Sequence, residues 1–326
     1  MSRWPEFDKQ MREVDADIAK LERILAAPSI SDERRSEVRE RMAALRKRQE
    51  RITREVFSRL TAWDNVLLAR HVDRPYTLDY VAMIFDDFVE LHGDRRFGDD
   101  SAVVAGLASL EGETVALVGH QKGRDVKERQ FRNFGSARPE GYRKAGRVMR
   151  LAEKLGLPVI SFVDTPAAES RLDAEERGIA NAIAESMLLM CSLATPIIVA
   201  IVGEGGSGGA IGMAVGDHVM MLEHAIYSVI PPESCAVILE AFDRDPTRGP
   251  DAAEALRLSA QRTLALGAVD EVIPEPLGGA HRDPAGAARN VKAALLQTLG
   301  RLRGLPPDEL LSARYRKYRV IDHYIE

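Results

Sequence analysis

The run Ile197-Ile198-Val199-Ala200-Ile201-Val202 passes directly into Gly203-Glu204-Gly205-Gly206-Ser207-Gly208-Gly209-Ala210. The first six residues are β-branched or small and apolar, which predicts a buried strand. The next eight predict a turn whose main chain is almost bare. Seven glycines fall between residues 203 and 216. Glycine permits left-handed φ and close approach of the backbone, so a ligand can meet amide N–H groups directly. Residues 210–215 read as a helix whose N-terminal dipole favours a developing anion. Two amides aimed at one point form an oxyanion hole, and losing one donor of such a hole costs about 3 kcal/mol of transition-state stabilisation. No Lys follows the last glycine, which excludes the phosphate loop of nucleoside triphosphatases. Gly206-Ser207-Gly208 lacks the spacing of a hydrolase nucleophile elbow, and no triad accompanies it. A reading without any ligand also exists: a tight packing loop between strand and helix.

On either side of this turn, short β-branched runs alternate with helical spacing. Strands are expected at 103–105, 115–118, 159–163, 219–222 and 225–230, and helices at 140–155, 175–193, 251–266 and 284–303. Strands separated by helices of this length imply β-α-β crossovers and a buried parallel sheet. Upstream the texture differs. The first of 25 glycines is Gly93, and the last is Gly304. Within the glycine-free part, Val14, Ile18, Leu21 and Leu25 recur at helical spacing, as do Val38, Met42, Leu45, Ile52, Val56 and Leu60. Pro28 and Ser29 separate the two runs, and Ser31-Asp32-Glu33 is a helix start. Residues 6–70 thus read as an antiparallel helical hairpin whose apolar stripe is too narrow for a core of its own and lies against something else. The domain reading is 1–76 for a partner-facing hairpin, 77–304 for the α/β body and 305–326 for a helical tail, polar and aromatic from 315.

The 326 residues carry a net charge of −5 and are 45% hydrophobic, a composition fit for a folded core. No apolar run reaches the roughly 20 residues of a membrane-spanning helix. The opening Met-Ser-Arg-Trp-Pro-Glu lacks the apolar core of a secretory signal, and two cysteines make no disulfide framework, so a reducing cytoplasm is expected. Cys191 reads as a core residue on an apolar helix, and Cys235 as a thiol near the glycine turn without a base. The histidines at 71, 92, 120, 218, 224, 281 and 323 have no metal-ligand spacing, and His218 and His281 read as structural. No metal site is expected. Residues 120–150 hold ten Lys and Arg against three acids. Within them, His120-Gln121-Lys122-Gly123-Arg124-Asp125 follows a strand, so Lys122 and Arg124 are candidates to meet phosphates or an acidic partner. The same patch allows nucleic-acid binding, against which stand the overall negative charge and sparse aromatics. Asp164-Thr165-Pro166 after the 159–163 strand is a turn signal, with Asp173, Glu175 and Glu176 opening the next helix.

Taken together in this order, these segments resemble the carboxyltransferase α subunit family of bacterial multisubunit acetyl-CoA carboxylases. The resemblance is carried by 120–125, by Pro139-Glu140-Gly141-Tyr142-Arg143-Lys144-Ala145, by Asp164-Thr165-Pro166, by 174–178, by 203–210, by 227–236 and by 273–281. It implies an α/β, crotonase-like spiral of β-β-α units behind the N-terminal hairpin. It further implies CO2 transfer from carboxybiotin on a biotin carboxyl carrier protein to acetyl-CoA, giving malonyl-CoA. Biotin left with negative charge on its ureido oxygen takes a proton from the acetyl methyl group, and the enolate captures CO2, so no protein nucleophile is needed. The amides of Gly205 and Gly206 are implied as the biotin-side oxyanion hole. Lys122, Arg124, Asp164, Thr165, Pro166, Ser207 and Gly208 are implied to line the substrates. The implied partners are a β subunit bearing a zinc ribbon and supplying the thioester-side hole, the carrier protein and, indirectly, biotin carboxylase. An α2β2 assembly follows from the same likeness.

One departure stands out. Where the family usually reads Asp-Thr-Pro-Gly-Ala-Tyr-Pro-Gly, this chain has Asp164-Thr165-Pro166-Ala167-Ala168-Glu169-Ser170-Arg171. Added Cβ atoms and two charges should reshape the biotin-side wall. An altered acyl-CoA preference, a decarboxylase subunit and a non-catalytic assembly or regulatory subunit therefore stay open at this level. A Gly206→Val substitution is expected to stop transfer while leaving the fold.

Overall fold

The computed structural model describes residues 6–27 and 30–321. The hairpin is α1 (Glu6–Leu25) and α2 (Asp32–Phe57), followed by α3 (Ala62–Ala69) and α4 (Thr77–Ile84). The body continues as β1 (Asp86–Glu90), β2 (Val103–Leu110), β3 (Glu113–His120), α5 (Val126–Phe131), α6 (Pro139–Leu155) and β4 (Val159–Thr165). Next come α7 (Leu172–Glu176), α8 (Ile179–Ser192), β5 (Ile197–Gly206), α9 (Ser207–Ile211), β6 (His218–Leu222) and β7 (Ile226–Ser228). The chain closes with α10 (Pro232–Ile238), α11 (Gly249–Ala255), α12 (Ala260–Ala265), β8 (Glu271–Ile273), α13 (Pro284–Leu302) and α14 (Pro307–Arg319).

The eight strands form one sheet in the order β1-β2-β3-β4-β5-β6-β8, with β7 beside the end of β5. β1, β2 and β3 pair antiparallel, and every pair from β3 onward is parallel. The β2–β3 turn is two residues, Glu111 and Gly112, both at positive φ (50° and 80°), the conformation that closes a tight hairpin without splaying it. β4 is buried along its whole length and β5 at every residue but Gly206. A strand covered on both faces needs a continuous apolar run, and both have one. α6 and α8 pack on each other, with Ala145, Val148, Met149 and Ala182 in the core.

Several boundaries differ from the sequence reading. The hairpin ends at Phe57, and residues 62–69 are a separate helix opened by a Thr61–Asp64 capping box. One end of the stripe lies against itself, where Leu21 of α1 buries with Val38 and Met42 of α2, flanked by Leu25 and Leu45, while Asp15 of α1 accepts from Arg282 of the body at 2.7 and 2.6 Å. The expected helix at 175–193 is broken at Gly178, whose φ of 77° ends α7 before α8 begins. The one at 251–266 is two helices, and the one at 210–215 starts at Ser207 and stops at Ile211. β1 and β8, neither expected, are the short outer strands. Ser31 caps α2 as expected, while Pro28, Ser29 and residues 322–326, His323 included, lie outside the described residues.

The parallel pairing gathers the carboxyl ends of β3, β4 and β5 at one edge: Gly119 stands beside Phe162, and Thr165 beside Gly205. The loops 121–125 and 166–171 and the short helix α9 leave the sheet there. In an open α/β sheet this edge is where ligands bind.

Candidate active site

At the end of β5, Gly205 lies between Thr165 of β4 and Tyr227 of β7, and Gly206 beside Ser228. Ser207 then turns the chain into α9 with φ at 50°, a left-handed conformation a serine adopts only where its surroundings enforce it. The 164–168 loop rides over this turn. A Cβ on Gly203 would come 2.4 Å from an Asp164 carboxylate oxygen, one on Gly206 2.0 Å from the Pro166 carbonyl oxygen, and one on Gly209 2.6 Å from the Ala167 carbonyl carbon. Gly206 and Gly209 are needed because two main chains touch, and Gly203 because the buried Asp164 carboxylate packs on it. Gly206→Val therefore cannot leave the fold untouched, contrary to expectation: the Pro166 backbone must move.

Gly205 and Gly206, with Pro166, Ser228 and Ile230, wall a narrow cleft that also reaches Arg70 and Glu204. Because Gly205 keeps strand geometry, its amide and that of Gly206 leave the chain on opposite sides. Both residues meet the cleft as main chain without a side chain. Next to this cleft, and sharing Arg70, Pro166 and Glu204 with it, opens a cavity of about 190 Å³ lined by Tyr76, Lys122, Arg129 and Phe134. Ser207 and Gly208 face elsewhere, onto an apolar cavity of about 520 Å³ with Ile211, Tyr227 and Leu266. The turn is a partition, and the expected site residues divide between its two sides.

Behind the cleft runs a buried ionic chain. Lys122 Nζ sits 2.7 Å from Asp164 Oδ1 and 2.6 Å from Glu204 Oε2. Glu204 Oε1 accepts from Arg70 Nε at 2.7 Å, and Arg70 continues to Glu233. The Glu204 amide donates to Asp164 Oδ1 at 2.9 Å, so the carboxylates tie the ends of β4 and β5 together. Burial acts against every charge here. It lifts the Asp164 carboxyl, whereas for Glu204 the Lys122 and Arg70 cations overcome burial and hold it at about 2. Burial works against the Lys122 ammonium too, and the two carboxylates outweigh it, so its pKa is raised. His120, wholly buried, is brought down to about 3 by burial and then by Lys122, so it is neutral and no proton carrier.

The remaining candidates are structural in their contacts. Thr165 Oγ1 donates to the carbonyls of Gly135 and Ala167. Arg124 bonds Asp79 and the Val72 carbonyl and lies over the Tyr76 ring at 4.8 Å, so it meets the cavity only through Tyr76. His218 pairs with Glu271 at 2.8 Å, and His281 lies 4.1 Å from His71, ring to ring. Cys191 is exposed, a correction to the core reading, because it sits on the outer side of α8. Cys235 is buried against Ala236 and Ala252. The sequence reading missed Arg70, Glu204 and Glu233 as site residues. Glu204, the one charge within the glycine run, was the available signal. Arg70 had none, being one arginine among many. Among the described residues no group of three or more His, Cys, Asp or Glu could hold a metal ion, and no helix is long and apolar enough to cross a membrane.

The family profile described as acetyl co-enzyme A carboxylase carboxyltransferase-like matches residues 4–322. The chain belongs to that family. It is 51% identical over 324 residues to the acetyl-coenzyme A carboxylase carboxyl transferase subunit alpha of Thermus thermophilus, covering 98% of this chain and 99% of that one. To the protein of the same description from Geobacter metallireducens it is 49% identical over 321 residues, 98% of each chain. Among solved structures, transcarboxylase 12S aligns with a TM-score of 0.56 at 21% identity, over 72% of this chain and 43% of that one. The β subunit of Pseudomonas aeruginosa geranyl-CoA carboxylase gives 0.54 at 15% identity, over 78% and 45%. The chain thus spans less than half the length of these two proteins, and at such identities the likeness speaks for the fold, which is crotonase-like. In this carboxyltransferase-family chain the 167–171 departure is self-contained. Glu169 accepts from Asn133 Nδ2 at 2.8 Å and from Arg171 Nη2 at 2.6 Å, and Arg171 also donates to Asn133 Oδ1 at 2.9 Å. The two charges answer each other, and Pro166 and Ala167 stay against the glycine turn.

Proposed function

We propose that the chain is the α subunit of an acetyl-CoA carboxylase carboxyltransferase, moving CO2 from carboxybiotin on a separate carrier protein to acetyl-CoA and giving malonyl-CoA for fatty acid synthesis. Carboxybiotin supplies the CO2, and its urea departs with negative charge on oxygen. A main-chain amide of the Gly205–Gly206 strand end donates to that oxygen, where a fixed dipole in a narrow cleft is worth most. Pro166 and Ile230 flank the cleft and keep water out. Lys122, Asp164 and Glu204 touch no reacting atom; they hold the ends of β4 and β5 so that the amide needs no reorganisation when charge develops. The oxyanion of the thioester belongs to a β subunit, and the reaction takes place where the two subunits meet.

The observation that carries this reading is the side-chain-free main chain of Gly205 and Gly206 on a cleft at the carboxyl edge of the sheet. A second reading, a larger acyl group, draws on the apolar cavity beside Ser207 and Gly208. The test is co-expression with the β subunit and assay of malonyl-, methylmalonyl- and longer carboxyacyl-CoA formation from biotinylated carrier. Acetyl-CoA turnover that needs both subunits is the expected result. Turnover of none of the acyl-CoAs would remove the catalytic reading, and preference for a long one would select the second.

A further inference from the structure

A second concave site lies on the other side of the α6–α8 pair. The groove between α6, α8 and the 93–98 loop has a volume of about 250 Å³ and is lined by Arg95, Arg96, Arg143, Arg147 and Arg150 against two carboxylates, Asp94 and Glu185. Those carboxylates are already engaged. Asp94 accepts the amides of Arg96, Phe97 and Gly98 and lies 3.6 Å from Arg143, while Glu185 lies 3.9 Å from Arg96. Arg95 and Arg147 instead donate to the same backbone oxygen, that of His92, at 2.9 and 3.1 Å, and Arg147 Nε reaches the Gly93 oxygen at 3.1 Å. Two guanidinium groups drawn to one carbonyl repel each other. Burial, and then the charge of Arg95, lower the Arg147 pKa accordingly. Arg95 is moreover held at φ of 64°, a conformation that costs a non-glycine residue about 1 kcal/mol or more. A chain that is negative overall gains nothing in stability from this arrangement.

What it gains is three guanidinium groups, those of Arg95, Arg147 and Arg150, that form no ion pair among the described residues and line one groove. Fixed forks of this kind match phosphate oxygens in pairs. We propose that this groove binds a compact multivalent anion of the diphosphate class. The site is not remote from the glycine turn. Its floor includes Tyr142 and Ser186, whose hydroxyls donate to the Gly209 and Gly212 carbonyls at 3.2 and 2.6 Å. An occupant therefore rests on the side chains that hold α9 from behind.

The probe is inorganic pyrophosphate, titrated calorimetrically into the full chain at two salt concentrations. Saturable one-to-one binding is expected, about tenfold tighter than for inorganic phosphate and weakening with salt. The R147Q/R150Q pair should loosen it by about tenfold while the melting temperature and the affinity of an Arg262→Gln control stay put. Should the pair misfold, Arg150→Gln alone, on an exposed side chain, should still weaken binding several-fold. Displacement of pyrophosphate by coenzyme A would assign the site to a diphosphate carried by the substrate, and displacement by ADP but not coenzyme A to a free nucleotide. No saturable binding, or equal affinity in the double variant, overturns the proposal.

Discussion

Glu169 and Arg171 stand where the family usually has Tyr and Gly, and they pair with each other. Asn133 and Arg171 hold the Glu169 carboxyl at about 2, burial opposing them, against an ordinary 4.5. A depressed acid stabilises the fold fully above 4.5 and gives that stabilisation up as pH falls towards about 2. Glu169→Gln should therefore melt below the wild type at neutral pH, with the gap closing across that acid window. Differential scanning calorimetry from pH 7 to 2 measures this, and a pH-independent gap would refute the clasp. At Lys122 the consequence is larger. Lys122→Met strands the buried Asp164 carboxylate and leaves Glu204 to Arg70 alone, which should destabilise the chain by about 3–5 kcal/mol. Asp164, already lifted by burial, should then be lifted further, visible as an infrared carboxylic-acid band that persists to higher pH than in the wild type.

At the scale of elements, legibility followed burial. β4 and β5 each carry a long apolar run because both faces are covered, and they were readable; β1 and β8 are edge strands of five and three residues with little burial, and they were not. Gly178 split a helix that periodicity alone joined, since apolar spacing runs on through a left-handed turn. The glycine turn was found at once, but its amide directions depend on which strands flank it, and pattern does not state that. The hairpin closes on its own stripe, so Met42→Ala should cost about 2 kcal/mol locally. Hydrogen exchange should quicken in α1 and α2 and not in β4 or β5; a uniform change would show that the hairpin is part of the main core. α14 is docked differently. Buried Arg314 grips Asp217 through two nitrogens at 2.8 Å and donates to the carbonyls of Met190, Leu193 and Thr195. Arg314→Met leaves Asp217 buried and unpaired, a loss of about 3–5 kcal/mol, read as a lowered melting temperature. An unchanged melting temperature would make α14 an appendage.

Across the whole molecule, a single edge of the sheet collects the bare strand end, the loop that covers it and the ionic chain that holds both. On the proposed mechanism a subunit of this form works by charge placement and needs no attacking side chain. Side-chain mutagenesis at Gly205 or Gly206 tests this poorly, because a Cβ there meets Tyr227 at 2.8 Å or Pro166 at 2.0 Å. Replacing the peptide N–H by an ester oxygen adds no atom. Glycolic acid introduced at 205 and at 206, one at a time, by cell-free translation, followed by assembly with the β subunit and assay of CO2 transfer, isolates the donor. One of the two esters should lower kcat by about 10²–10³ with the KM for acetyl-CoA and the melting temperature unchanged. Rates within about twofold of the wild type for both esters would contradict the account, since removal of a working donor lowers the rate far more than that.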